Sequence, residues 1–127
     1  GLTSIKNFDT SLAEGVMLLT PFAADSKDQA TQDFVKAYKA AYNDETPNQF
    51  AADAYDGVKI LAKLIESQGI TADMSASDIC EKLKTGITAS DFSYDGLTGT
   101  GMKWNANGEV SKSPKAVVIK DGNYSAL

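Results

Sequence analysis

One stretch of this sequence, Asn48 to Gly69, dictates more of the fold than any other. Phe50, Ala54, Val58, Leu61 and Ile65 recur there at steps of three and four, the spacing of one helical face. Asn48 is a suitable N-cap and Gly69 a suitable C-terminal stop. Asp53 and Asp56 precede Lys59 and Lys63, an order that suits the helix dipole. The pattern predicts a helix from about Asn48 to Gln68 with that stripe buried.

The other segments arrange themselves around it. Gly15-Val16-Met17-Leu18-Leu19-Thr20 is an apolar run stopped by Pro21 and reads as a strand buried on both faces, as in a parallel sheet. Phe34, Val35, Tyr38, Ala41 and Tyr42 follow helical spacing and predict a helix ending before Asn43-Asp44-Glu45-Thr46-Pro47. A shorter helix is expected from Ser75, with Asp78 as its capping partner, Ile79, Cys80 and Leu83 as its apolar face and Gly86 closing it. Beyond Ile87 the chain turns to glycine-punctuated β-formers. Met102-Lys103-Trp104 leads into a hairpin at Asn105-Ala106-Asn107-Gly108, and Ala116–Lys120 is a strand followed by a tight turn at Asp121-Gly122. The whole reads as one α/β domain, large enough to bury roughly two-thirds of its unfolded surface.

Composition narrows the chemistry. All 12 basic residues are lysine and histidine is absent, so no Ser-His-Asp or Cys-His unit and no imidazole-liganded metal is available. A net charge of −5 without arginine makes nucleic acid a poor partner. The single cysteine, Cys80, excludes an intrachain disulfide and reads as a small buried filler. No apolar run reaches the length of a membrane span, and Gly1-Leu2-Thr3-Ser4 resembles neither an initiation site nor a targeting segment. A mature or truncated piece of a longer protein fits these features.

The candidate motifs are weak. Asn105–Glu109 lacks the acidic ladder of a calcium loop and reads as a hairpin turn. Gly96-Leu97-Thr98-Gly99-Thr100-Gly101 is not followed by Lys-Ser/Thr or a helix, so it reads as a bulged strand and not a phosphate cradle. Asp53 and Asp56 lie one helical turn apart, as an acid/base pair could, but acids in a first turn ordinarily serve the dipole. Tyr38 and Tyr42 share a helix face and read as core. No catalytic apparatus emerges.

The order of segments is more telling. Glu14–Phe22, then Phe34–Lys39, then Thr46-Pro47-Asn48-Gln49-Phe50-Ala51-Ala52-Asp53-Ala54-Tyr55-Asp56-Gly57-Val58 resemble the C-terminal part of solute-binding proteins of ABC transporters for branched-chain amino acids. Tyr94–Gly99, Trp104-Asn105, Asn107-Gly108 and Val117–Gly122 resemble that family's closing β-hairpin segment. The resemblance implies the C-terminal portion of a two-lobed type I periplasmic-binding fold with Rossmann-like lobes. Residues 1–22 would be a piece of the second lobe, 23–117 a piece of the first, and 118–127 a return to the second.

It also implies function. The whole protein would be a binding protein rather than an enzyme, without cofactor, taking a branched-chain or similar amino acid and delivering it to permease subunits. It would work outside the cytoplasm, as a lipoprotein in a Gram-positive source. An amino-acid- or amide-sensing receptor domain of the same fold is the alternative. By the resemblance Phe50, Ala52 and Asp53 line the ligand cleft. Leucine- and isoleucine-binding relatives carry an aromatic residue where Ala52 stands, and Asp53 either contacts a polar ligand or serves the helix dipole. Because most ligand partners would lie outside this segment, it is expected not to bind tightly alone and to self-associate through open strand edges and apolar faces.

Overall fold

The computed structural model describes residues 5–127. Gly1–Ser4, and with them the reading of the chain's opening residues, lie outside the described residues. The chain divides into two compact units, residues 1–50 with 114–127 and residues 51–113. The resemblance had set the divisions after residues 22 and 117.

The first unit is built on a three-stranded antiparallel sheet in the order β1 (Met17–Thr20), β2 (Lys115–Lys120), β3 (Asn123–Ala126). Met17 faces Val118 across β1 and β2, so its central pairing joins residues far apart in sequence. Asp121 and Gly122 both take positive φ, 50° and 74°, which gives the two-residue turn a twist matching the β2–β3 hairpin. Asp121 N–H donates to the Glu14 carboxylate, and Ala126 N–H donates to that of Asp25. Helix α1 (Gln29–Ala41) is capped by Asp28, whose carboxylate accepts from Thr31 N–H at 2.8 Å. Partial burial opposes ionisation of Asp28, but hydrogen bonds from Ser26 and Thr31 outweigh it and hold its pKa below the ordinary value. Phe22 meets Phe34 of α1 edge to face at 5.8 Å, and Val117 and Ile119 of β2 are buried.

Two expectations fail in this unit. β1 is an edge strand in an antiparallel sheet, not a doubly buried parallel one, and Met17 and Leu19 stand exposed on one face. Continuous apolarity signals two faces that need cover, and the described residues cover one. Tyr42 stacks on Tyr38 with ring centroids 4.4 Å apart, yet it is exposed and therefore not core.

The second unit holds most of helix α2 (Gln49–Ser67), helix α3 (Ala76–Ile87) and the segment running to Ser113. Gly69, at φ 57°, ends α2 as expected. Ile70 N–H donates back to Ile65 C=O and Gly69 N–H to Glu66 C=O, satisfying the last carbonyls. Ser75 caps α3 through Asp78 N–H, and its hydroxyl donates to the Asp78 carboxylate. Gly86 does not close α3. It sits inside the helix, where a Cβ would fall 2.8 Å from Gln68 Cγ and 3.0 Å from Leu64 Cδ2, so its role is close packing on α2. Cys80 is exposed rather than a buried filler, while Ile79 and Leu83 of the expected apolar face turn partly inward. The turn at Asn105–Gly108 forms as expected, closed by a single bridge pairing Trp104 with Val110. The expected strand Met102–Trp104 is reduced to isolated bridges, the other pairing Met102 with Tyr94.

The main correction concerns α2. Its buried residues are Ala52, Asp56, Ile60 and Leu64, at steps of four. Ile60, Leu64 and Met102 form the core, against which Leu83, Ile87, Phe92, Tyr94 and Trp104 pack. The stripe expected to be buried lies outward: Val58 is 67% exposed, and Phe50, Leu61 and Ile65 are exposed with it. The helix has two apolar faces. Asp56 interrupts the one that folds inward, so periodicity alone selects the other.

Candidate functional site

The first two turns of α2 carry the polar chemistry of the second unit. Asp56 is 3% exposed, a burial that a carboxylate tolerates only when its lone pairs are met. Its Oδ1 accepts from Leu97 N–H at 2.9 Å, and its Oδ2 accepts from Thr98 N–H at 2.9 Å and Thr98 Oγ1 at 2.7 Å. The glycine-rich loop is thus a cradle for an anion, but the anion is the protein's own. Neither the bulged strand nor a dipole role for Asp56 describes this arrangement. Gly96 is required by it, because a Cβ there would lie 2.5 Å from Asp56 Oδ2.

From this buried anchor the network runs outward. Thr98, fully buried, spends its hydroxyl proton on Asp56 and accepts from Lys112 Nζ at 2.7 Å. Lys112 Nζ also donates to Asp53 Oδ1 at 3.1 Å. Asp53 is therefore held by Lys112, which in turn is held by the Asp56 cradle. Tyr94 feels the same region: burial, then the negative charge of Asp56, then Tyr55 raise its pKa above 10.0.

The residues expected to line a cleft fall in different settings. Phe50, the second residue of α2, is 71% exposed. Ala52 is 0% exposed. Asp53 is partly exposed and ion-paired. A larger side chain at Ala52 therefore meets packed protein. Ala52→Leu should lower unfolding stability by about 1–3 kcal/mol, the ordinary cost of overpacking, measurable by urea denaturation.

Asp56, Thr98 and Lys112 were not singled out from sequence as members of a site. The only signal for them was the pairing of a helical acid with a distant Gly-Leu-Thr-Gly run, whose backbone donors need an acceptor. Lys112 carried no local signal at all. Elsewhere, the hairpin at Asn105 closes on itself: Asn105 Oδ1 accepts from Asn107 and Glu109 N–H, leaving it no calcium-loop geometry. Among the described residues, no group of three or more acidic or cysteine side chains is placed to hold a metal ion.

No curated protein matches the chain. Several solved structures do. The chain is similar to a Rhodospirillum rubrum protein described as a branched-chain amino acid ABC transporter, at 25% identity and TM-score 0.64, over 91% of this chain and 31% of that one. It is similar to the branched-chain amino acid transporter substrate binding protein of Streptococcus pneumoniae, solved with isoleucine, at 23% identity and TM-score 0.70, over 92% and 30%. It is also similar to an ABC transporter solute binding protein of R. palustris in complex with benzoate, at 21% identity and TM-score 0.69, over 91% and 29%. The chain spans less than a third of the length of these proteins. The expected α/β portion of a two-lobed periplasmic-binding fold is what the described elements form. The family model for periplasmic binding proteins matches residues 2–123, nearly the entire sequence, and the chain belongs to that family.

Proposed function

We propose that this chain is part of the extracytoplasmic solute-binding component of an ABC importer for branched-chain or related amino acids. The observation that carries the reading is the family match across residues 2–123. Under it the protein binds and releases a solute without chemical change, and its partners are the ligand and the permease subunits. Its location is the periplasm, or the cell surface as a lipoprotein in a Gram-positive source. No helix among the described residues is long and apolar enough to cross a membrane. We read residues 1–22 and 118–127 as pieces of the second lobe and residues 23–117 as a piece of the first, as the family resemblance implies.

Phe50, Ala52 and Asp53 mark the turn of α2 that we assign to the ligand cleft, with Asp53 as its polar group. The test is calorimetric titration of the longest form of the protein that its source cell exports. Binding of leucine, isoleucine, valine or a related amino acid, weakened by Asp53→Asn, supports the reading. Saturable turnover of any of them, or no binding of any amino acid, defeats it.

The chain as given is expected to self-associate rather than to bind ligand tightly. The outward face of α2 and the exposed Met17 and Leu19 of the edge strand β1 support this. Leu61→Lys, which places a charge in the outward α2 face, should weaken association roughly tenfold or more by sedimentation equilibrium. A chain already monomeric at millimolar concentration would overturn the expectation.

A further inference from the structure

Lys112 differs from an ordinary surface lysine in how firmly its ammonium is placed. Its Nζ donates to Thr98 Oγ1 at 2.7 Å, and Thr98 is fully buried and bound in turn to the buried Asp56. Its stem runs beside Gly99, where a Cβ would lie 3.5 Å from Lys112 Cγ. The Lys112 ammonium thus rests on a buried, hydrogen-bonded hydroxyl, and part of the ordering cost of a further hydrogen bond is already met.

An ammonium has three N–H donors. Thr98 and Asp53 Oδ1 take two. The third N–H of Lys112 and Asp53 Oδ2 have no partner among the described residues, and both side chains are partly exposed, at 27% and 38%. One donor and one acceptor are therefore presented side by side on a fixed frame. Ala52 is fully buried, so the apolar surface at this turn is that of Phe50 and the pair itself offers only polar atoms. An aliphatic end placed here would strip water from the pair and return no hydrogen bond. A free ammonium or carboxylate would meet its opposite and its like charge together. A carboxamide, which carries an acceptor oxygen and a donor nitrogen on one carbon, satisfies both halves.

We propose that Lys112 is a ligand-binding, specificity-setting residue beside the N-terminal part of α2, which with Asp53 takes a neutral carboxamide end of the ligand in preference to an aliphatic one. The proposal rests on the assignment of Asp53 to the ligand cleft. It shifts the ligand class from purely branched-chain amino acids toward those ending in an amide, or toward simple amides.

The test uses the longest exported form of the protein and three probes: L-glutamine, L-leucine and propionamide. Glutamine is expected to bind more tightly than leucine by roughly tenfold or more, as for a site built to hydrogen-bond its ligand. Lys112→Met should collapse that ratio, and Lys112→Arg should restore part of it. The ratio is read on a single variant, so a general loss of stability does not move it. Leucine binding as tightly as glutamine, or a ratio unchanged in Lys112→Met, overturns the proposal while leaving the amino-acid-binding function intact. Propionamide binding without any amino acid binding, lost in Lys112→Met, supports Lys112 while defeating the amino-acid reading. No binding of any probe overturns both.

Discussion

Replacing Asp56 with alanine should lower the unfolding free energy by about 3–5 kcal/mol, the cost of breaking a buried charged hydrogen-bond set by removing one partner. Three donors lose their acceptor at once: Leu97 N–H, Thr98 N–H and the Thr98 hydroxyl. All sit where water is excluded, so each bears its own desolvation penalty. The loss also reaches the surface, because Thr98 positions Lys112 and Lys112 positions Asp53. Denaturant unfolding followed by the fluorescence of Trp104, the single tryptophan, reports on this unit directly. A loss under 1 kcal/mol would show that the cradle is not under load. Asp56→Asn is the informative companion, since it keeps the shape and one acceptor while turning an amide N–H₂ toward backbone donors.

Gly96→Ala is the second large effect. The added methyl would lie 2.5 Å from Asp56 Oδ2, 2.6 Å from its Cγ and 2.7 Å from its Oδ1. The carboxylate cannot yield, because the same three hydrogen bonds pin it. Overpacking together with one sacrificed charge-assisted hydrogen bond gives an expected loss of about 3 kcal/mol. The pair should couple strongly: with Asp56 already alanine, Gly96→Ala has nothing to strike and should cost far less. A double-mutant cycle showing simple additivity would sink the argument for both positions.

What the sequence revealed and what it hid follow from how far each signal reaches along the chain. Caps and turns were legible at Gly69, Ser75 with Asp78, Asn105–Gly108 and Asp121-Gly122, because the residues responsible lie within a few positions of the atoms they satisfy. The inward face of α2 was not. Asp56 stands in the middle of that face, and its compatibility with burial depends on Leu97 and Thr98, some forty residues away. Reading its charge as a surface mark turned the helix over. Gly86 shows the same limit on a smaller scale, since its close packing depends on Leu64 of α2 and Gln68 just beyond it. At the candidate site, Asp53 was visible as an acid in a first turn. Its tie to Lys112 was not, because no local pattern joins the two.

The order of the two units along the chain bears on how the molecule acquires its structure. Residues 51–113 form one uninterrupted stretch, whereas the other unit is split into an early piece and a late one. During synthesis the uninterrupted unit has all its residues once Ser113 has emerged, and its pairings are comparatively short-range. β1 precedes residues 51–113 in the chain, and the strand it pairs with, β2, follows them. Until β2 emerges, Met17-Leu18-Leu19 lacks the strand it pairs with in this sheet, a condition that invites capture by other chains or by holding chaperones. Loop closure over so long an intervening stretch is also slow, so sheet formation is the late event in folding. An early-folding insert thus sits between the halves of a late-folding frame, and the β1–β2 pairing stays vulnerable until β2 is available.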